Sequence, residues 1–389
     1  MLTRRSLLRS APLLALAPTV PEFLTRTARA AGPKADARAL VVVQLDGGND
    51  ALNTVVPFAD PEYAKLRPKL KLDPKALVKL TDTFGLHPAL KPLDKLWDGG
   101  RLAVLPGVGY PNPNRSHFES MAIWHTARFD GEEVRASPGW LGRALDAAGG
   151  ESCVVAPDAP HAVRGRRAAV VTLTRAEDLL LTDPGAARAA VGAPRKEDDL
   201  LAFVRRQAAD ATAGAEKVAA VTGNKSAAEY PATGLGQKLQ LVARMLKAGF
   251  LTRAYYTAQG GYDTHAQQGF AHGQLLGEFA GAVSAFFADL TAAKLTDRVA
   301  LVAFSEFGRT IKENGSLGTD HGTAGCVFVA GGGVTGGIRG TQPSLTELAG
   351  GEPKMTTDFR AVYAALLADW LALPADGLGG TFPPVKLFG

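Results

Sequence analysis

Six apolar runs bounded by turn residues punctuate the chain: RALVVVQL (38–45), RLAVLPG (101–107), AAVVTL (168–173), AYYTAQ (254–259), RVALVAFS (298–305) and GCVFVAG (325–331). Their apolar positions are continuous and do not alternate, as expected of strands buried on both faces of a mostly parallel sheet. Between them the period changes. Phe270, Leu275, Phe279, Val283, Phe286 and Leu290 recur at helical spacing, and AVYAALLADWLAL (361–373) behaves the same way. Alternating strand and helix predicts an α/β fold: an open, mostly parallel sheet with helices on both faces. One region breaks the rhythm. Residues 184–235 are rich in Ala, Arg, Lys and Asp, and the stretch 197–221 reads as a long polar helix. It is expected to be a helical insertion or cap within a single domain spanning 31–389, whose Gly- and Pro-rich tail (375–389) is coil.

The first thirty residues stand outside that pattern. Arg4 and Arg5 precede a mild run of Leu, Ala and Pro, and small residues at Ala28 and Ala30 follow. This is the layout of a twin-arginine signal peptide, which predicts passage through the twin-arginine export machinery to a periplasmic or extracellular location. The apolar run is too short to span a bilayer and is interrupted by Pro12 and Pro18, and no second apolar stretch approaches twenty residues, so no membrane span is expected in the mature protein.

Composition changes the picture once the leader is set aside. The whole chain has a net charge of +5, but the leader holds five arginines against Glu22, leaving 38 basic and 37 acidic side chains. A near-neutral mature chain gives no reason to expect nucleic acid as a partner. Two cysteines, Cys153 and Cys326, cannot build a disulfide framework.

In open α/β sheets chemistry gathers at the carboxyl ends of the strands. After the first run comes LDGGND with Asp46. VGYPNPNRSHFES, with Ser116 and His117, follows the second, and GGYDTHAQQ, with Asp263 and His265, follows AYYTAQ. RVALVAFS leads into Glu306 and Arg309, while GTDHGTA, with Asp320 and His321, immediately precedes GCVFVAG. Each has a bland alternative: Asp46, Asp263 and Asp320 as turn formers, Arg309 as an ion-pair partner, Ser116 with Glu119 as a helix capping box. Together, Asp46, Asp263, His265, Glu306, Asp320 and His321 are candidate ligands for one or two divalent ions (zinc, calcium or magnesium). Ser116 is the candidate nucleophile, with Arg309 and His117 beside it. His125 is expected to be structural, and Asn49 and Asp50 to support the site or complete the turn.

The leader, LDGGNDALNTVVP, NPNRSHFES, GGYDTHAQQ, FSEFGRT and GTDHGTAG occur in this order over nearly the whole mature chain. As a set they resemble an exported bacterial family catalogued as domain of unknown function 1501, itself similar to the alkaline phosphatase and sulfatase superfamily. The resemblance implies an alkaline-phosphatase-like fold, with Asp46 as a first-strand metal ligand, Ser116 as nucleophile, Asp263 and His265 as a ligand pair, and His321 completing it. Two departures stand out: only Thr264 separates Asp263 from His265, and Glu306 and Phe307 occupy the place of an Asp–His pair.

The leading expectation is an exported metal-dependent hydrolase of phosphate or sulfate esters, acting on a small molecule or a glycan. The alternative is a non-catalytic envelope protein of the same fold that binds an anionic glycan or a protein partner. A serine triad is disfavoured because Gly-x-Ser-x-Gly is missing, and DGGND is not a dinucleotide fingerprint.

Overall fold

The computed structural model describes residues 38–148, 150–179, 225–250 and 252–389, with Val221 and Gly223. The expected signal peptide and the polar helix at 197–220 lie outside the described residues, as does most of the expected insertion.

Among the described residues the main sheet has nine strands: β1 (Ala39–Leu45), β2 (Leu102–Gly109), β3 (Glu151–Val155), β4 (Ala169–Leu173), β5 (Ala254–Gln259), β6 (Val299–Phe304), β7 (Gly325–Gly331), β8 (Gly337–Ile338) and β9 (Thr357–Asp358). Their order is β8-β2-β7-β6-β1-β5-β3-β4, with β9 also on β2. β6, β1, β5, β3 and β4 run parallel, and Val42 lies between Tyr256 and Val302. β7 alone is reversed, antiparallel to both β2 and β6. All six apolar runs form strands. β3 was not foreseen, because ESCVV offers only three apolar residues in a row.

Strand side chains alternate between two cores. On one face Val41, Val43 and Leu45 meet α3 (Gly234–Lys247) and α4 (Gln268–Ala292) through Leu239, Val242, Phe279, Val283 and Phe286. On the other, Leu40 and Val42 meet α1 (His117–Thr126), α2 (Trp140–Ala148) and α5 (Phe359–Ala364) through Trp124, Leu141, Leu145 and Val362. Each such side chain contributes about 1.5–3 kcal/mol on burial. Beyond α5 the chain continues as one π-helical segment, Ala365–Trp370. α4 is the one described helix long and apolar enough to cross a membrane, and its apolar stripe is used up in this core. Phe270, counted in that stripe from its spacing, instead faces outward at 82 % exposure.

The reversed strand matters for function. The carboxyl ends of β1, β2, β5 and β6 share one edge of the sheet, and reversal brings the amino end of β7 to that same edge. The segment before β7 therefore joins segments that follow the others.

Candidate metal centre

The first loop at that edge shows why the glycines are needed. Asp46 donates its backbone N–H to Gln259 O (2.8 Å) and accepts from Tyr262 N (3.1 Å), which staples the loop after β1 to the loop after β5. Gly47 and Gly48 have φ of +118° and +77°, a region costly for residues with a Cβ. A Cβ on Gly47 would also run into the backbone of Tyr262 and Asp263, and one on Gly48 into the Phe307 ring. Asn49 and Asp50 turn inward. Asn49 N donates to Ser305 Oγ (2.9 Å), and Asp50 pairs with fully buried Arg67 at 2.6 and 3.1 Å. Burial would raise the Asp50 carboxyl, but the Arg67 charge and hydrogen bonds bring it down to about 2.

The loop before β7 is held by a second ribbon. Gly308 N donates to Thr323 O (2.7 Å), Gly322 N to Gly308 O (2.9 Å) and Thr310 N to Asp320 O (2.9 Å), which sets His321 opposite Arg309. The Arg309 side chain is 3 % exposed. It donates to the carbonyls of Gly47, Gly48, Tyr262 and Thr319 and to Asp263 Oδ1 (2.7 Å). A guanidinium committed in this way clamps three loops together and makes, with Asp263, the ion pair that was its alternative reading.

Asp263 is the hub of the cluster. Its Oδ1 lies 3.0 Å from His265 Nε2 and 3.2 Å from His321 Nε2, and its Oδ2 lies 3.5 Å from His117 Nε2. Burial would raise this carboxyl, but hydrogen bonds from Arg309 and His321 and the nearby positive charge hold it at about 2. Each histidine uses its other nitrogen on an acceptor. His117 Nδ1 meets Glu306 Oε1 at 2.7 Å, His265 Nδ1 meets Asp320 Oδ1 at 3.0 Å, and His321 Nδ1 meets the Arg115 carbonyl at 2.8 Å. Carboxylates and carbonyls only accept, and acceptors stand at both nitrogens of each ring, so a neutral ring with its N–H at Nδ1 turns an Nε2 lone pair toward Asp263, whereas a doubly protonated ring donates at both. The three Nε2 atoms converge. His265 Nε2 and His321 Nε2 face each other at 2.9 Å, and buried His117 Nε2 has no hydrogen-bond partner. A backing acceptor on the far nitrogen is also how metal-binding histidines are usually held.

Two residues expected as ligands stand at the far nitrogens of the rings. Glu306 is buried, and besides His117 it accepts from Gly47 N (3.0 Å) and Ser305 Oγ (3.0 Å); Asp320 accepts from His265 and from Asn314 Nδ2 (3.2 Å). Asp46 is exposed, and its hydrogen-bond partner is Gln44 Nε2 at 3.3 Å. Ser116 occupies the N-cap of α1, but its hydroxyl makes no capping bond; instead its N–H is held by Asn114 Oδ1 at 2.8 Å. The expected capping box is therefore not closed. Phe307 is buried against His117 and His321, with ring centroids at 5.0 and 4.9 Å, and walls off the place where a further imidazole was sought.

Two cavities adjoin the cluster, the smaller through Glu306 and Phe307 and the larger through His117. One, of about 420 Å³, is lined by Tyr110, Arg115, Glu306, Phe307, Thr323 and Lys354. The other, of about 580 Å³, is lined by Asp46, His117, Phe118, Met121, His161 and Asp263. Sequence reasoning passed over Arg67, whose pairing with Asp50 leaves no local signal. It also passed over Arg115, although that residue sits inside the NPNRSHFES motif.

Fold and site together define an α/β protein with a histidine and aspartate cluster at the carboxyl edge of a mostly parallel sheet. The chain belongs to the family described as Protein of unknown function (DUF1501), whose model matches residues 37–370. This is the family its motifs resemble. No curated protein matches the sequence. Among solved structures, the chain is similar to the C-terminal periplasmic domain of EcEptC from Escherichia coli in complex with Zn (12 % identity, 75 % of this chain and 72 % of that one, TM-score 0.37). It is also similar to the phosphonate monoester hydrolase of Agrobacterium radiobacter (10 %, 87 % and 74 %, TM-score 0.39) and to the PsFucS1 sulfatase from Pseudoalteromonas sp. (10 %, 87 % and 74 %, TM-score 0.38).

Proposed function

We propose that this protein is an exported hydrolase of phosphate or sulfate esters that works with a single divalent metal ion held by Asp263, His265, His321 and His117. The observation that carries the reading is the convergence of three imidazole Nε2 atoms on Asp263, each ring fixed from behind by an acceptor. A cation bound beside His265 Nε2 and His321 Nε2, which lie 2.9 Å apart, would take the place of a proton shared between them. Three nitrogens and one carboxylate suit zinc better than calcium or magnesium, which prefer oxygen. The apolar Phe307 wall favours one ion over two.

In this reading Glu306, Asp320 and the Arg115 carbonyl orient the ligand rings, and Arg309 fixes the loops that carry Asp263 and His321. When bound, the ion supplies Lewis acidity toward an ester oxygen and lowers the pKa of a coordinated hydroxyl or water. Ser116, exposed and free of capping duty one residue before His117, is the candidate nucleophile. Asp263 and His265 are each nearly half exposed, which leaves the cluster open to substrate on one side.

Elemental analysis of the purified mature protein tests the reading: about one zinc per chain is expected, lost in Asp263→Ala and His321→Ala. A chain that stays metal-free when refolded with zinc sinks it. Turnover of aryl phosphates or aryl sulfates should fall roughly a thousandfold or more in Ser116→Ala. The buried Phe307 also favours a second reading, an envelope protein that binds an anionic glycan without cleaving it; turnover abolished by Ser116→Ala would eliminate that reading. Twin-arginine export and a periplasmic or extracellular location belong to the same proposal, and substitution of Arg4 and Arg5 by lysine should retain the precursor in the cytoplasm.

A further inference from the structure

Behind the histidine cluster lies a buried layer of polar contacts. In the 263–265 segment Asp263 and His265 are exposed while Thr264 is buried; in the 319–321 segment Asp320 is exposed while Thr319 is buried. Both inward hydroxyls donate to one atom, Gln268 Oε1, Thr264 from 3.2 Å and Thr319 from 2.5 Å. The Nε2 end of the same carboxamide donates to Asp50 Oδ2. These partners fix which way the amide points, because a carboxylate only accepts and the reverse orientation would set Oε1 against it. Gln268 is fully buried and opens α4, whose Phe279, Val283 and Phe286 lie in the core. Main-chain bonds close the same junction: Gln268 N donates to Leu317 O (2.9 Å), Gln267 N to Ser316 O (3.0 Å) and Thr319 N to Thr264 O (3.3 Å). Through Asp50 the contacts continue to Arg67, which donates to the carbonyls of Thr310 and Ile311.

We propose that Gln268 is a positioning residue for the cluster: its carboxamide fixes the segment bearing Asp263 and His265 against the segment bearing His321, and thereby sets how closely His265 Nε2 and His321 Nε2 approach. The side chain suits the task because one rigid group offers an acceptor to two hydroxyls and, from its other end, a donor to a carboxylate. Gln268→Glu would press a second buried carboxylate against Asp50, and Gln268→Met removes the acceptor from both hydroxyls. Outer partners of metal ligands are typically worth about ten- to a hundredfold in metal affinity. The proposal rests on the metal reading for the ion alone; the coupling of the two segments belongs to the protein with or without it.

Two measurements on the full mature chain test it. In metal-free protein, hydrogen–deuterium exchange across residues 316–323 reads the coupling of the segments. Thr264→Val removes the hydroxyl at nearly the same shape and should speed that exchange about three- to tenfold. Thr264→Ser should keep the wild-type rate, and Thr264→Val should add nothing in a Gln268→Met background. With metal, zinc affinity and the visible spectrum of the cobalt-substituted protein read the ligand geometry. Gln268→Met and Thr264→Val should weaken zinc about ten- to a hundredfold and change the cobalt spectrum, while Thr264→Ser should match the wild type. Val283→Ala loosens α4 at its core face, away from both segments, and should leave zinc affinity and spectrum unchanged, which separates positioning from general loss of stability. Unchanged exchange in both Thr264→Val and Gln268→Met, or faster exchange with wild-type zinc affinity, overturns the proposal. A wild type that binds no zinc overturns the metal reading instead, and the exchange measurement then decides the proposal alone.

Discussion

Asp50 and Arg67 are seventeen positions apart, and both side chains are essentially out of solvent. The pair anchors the inner half of the loop whose outer half faces the cluster. With a folded pKa of about 2 against about 3.9 unfolded, Asp50 contributes stability that is present above pH 4 and lost as pH falls toward 2. Asp50→Asn should flatten the acid limb of a stability-against-pH curve between pH 4 and 2, as read by urea midpoints; an unchanged limb would show that other carboxylates dominate it. Arg67→Met leaves a buried carboxylate unpaired and should cost about 3–5 kcal/mol. For the cluster itself, His117, Asp263, His265 and His321 and their chain order are legible in the motifs, which also carry Asp46 and Ser116 beside it. Their division of labour is not, because Glu306 and Asp320 look like ligands until the atoms they face are known.

At the scale of elements, the glycine loop after β1 and the ribbon before β7 set the precision of the site. Gly47 combines a positive φ with backbone contact against Asp263, so Gly47→Ala should shift the hub carboxylate. Strain of about 1–3 kcal/mol is expected in the folded state. Zinc affinity should fall alongside the melting temperature; a variant that melts early yet binds zinc normally would separate the loop from the site. The strands were readable because burial on both faces leaves an unbroken apolar run. β3 escaped because its run is short, and Phe270 was misplaced because spacing alone does not mark where a helical stripe leaves the core.

At the scale of the whole molecule, the order of strands decides what can meet. Cys153 on β3 and Cys326 on β7 are separated by β5, β1 and β6, a span of about 19 Å at ordinary strand spacing. A disulfide cannot bridge that distance. Both thiols are buried and free, so thiol titration in denaturant should find two per chain, and reductant should leave the melting temperature unchanged. Reversal of β7 is the other global decision, since it alone delivers His321 to the edge where β1, β2, β5 and β6 end. Zinc held at a junction of these segments should raise the melting temperature of the wild type, by about 2.7 kcal/mol of stability at a hundredfold excess over Kd, but not that of His321→Ala.

The sequence by itself determined the α/β alternation, the family and the set of residues able to carry chemistry, because burial pattern and side-chain type are local properties written in order along the chain. Only the tertiary structure decided which of those residues face one another, that Arg309 is a clamp, and that Glu306 and Asp320 stand behind imidazoles. Those outcomes depend on strand order, one reversed strand and the direction of individual lone pairs, which no stretch of sequence contains.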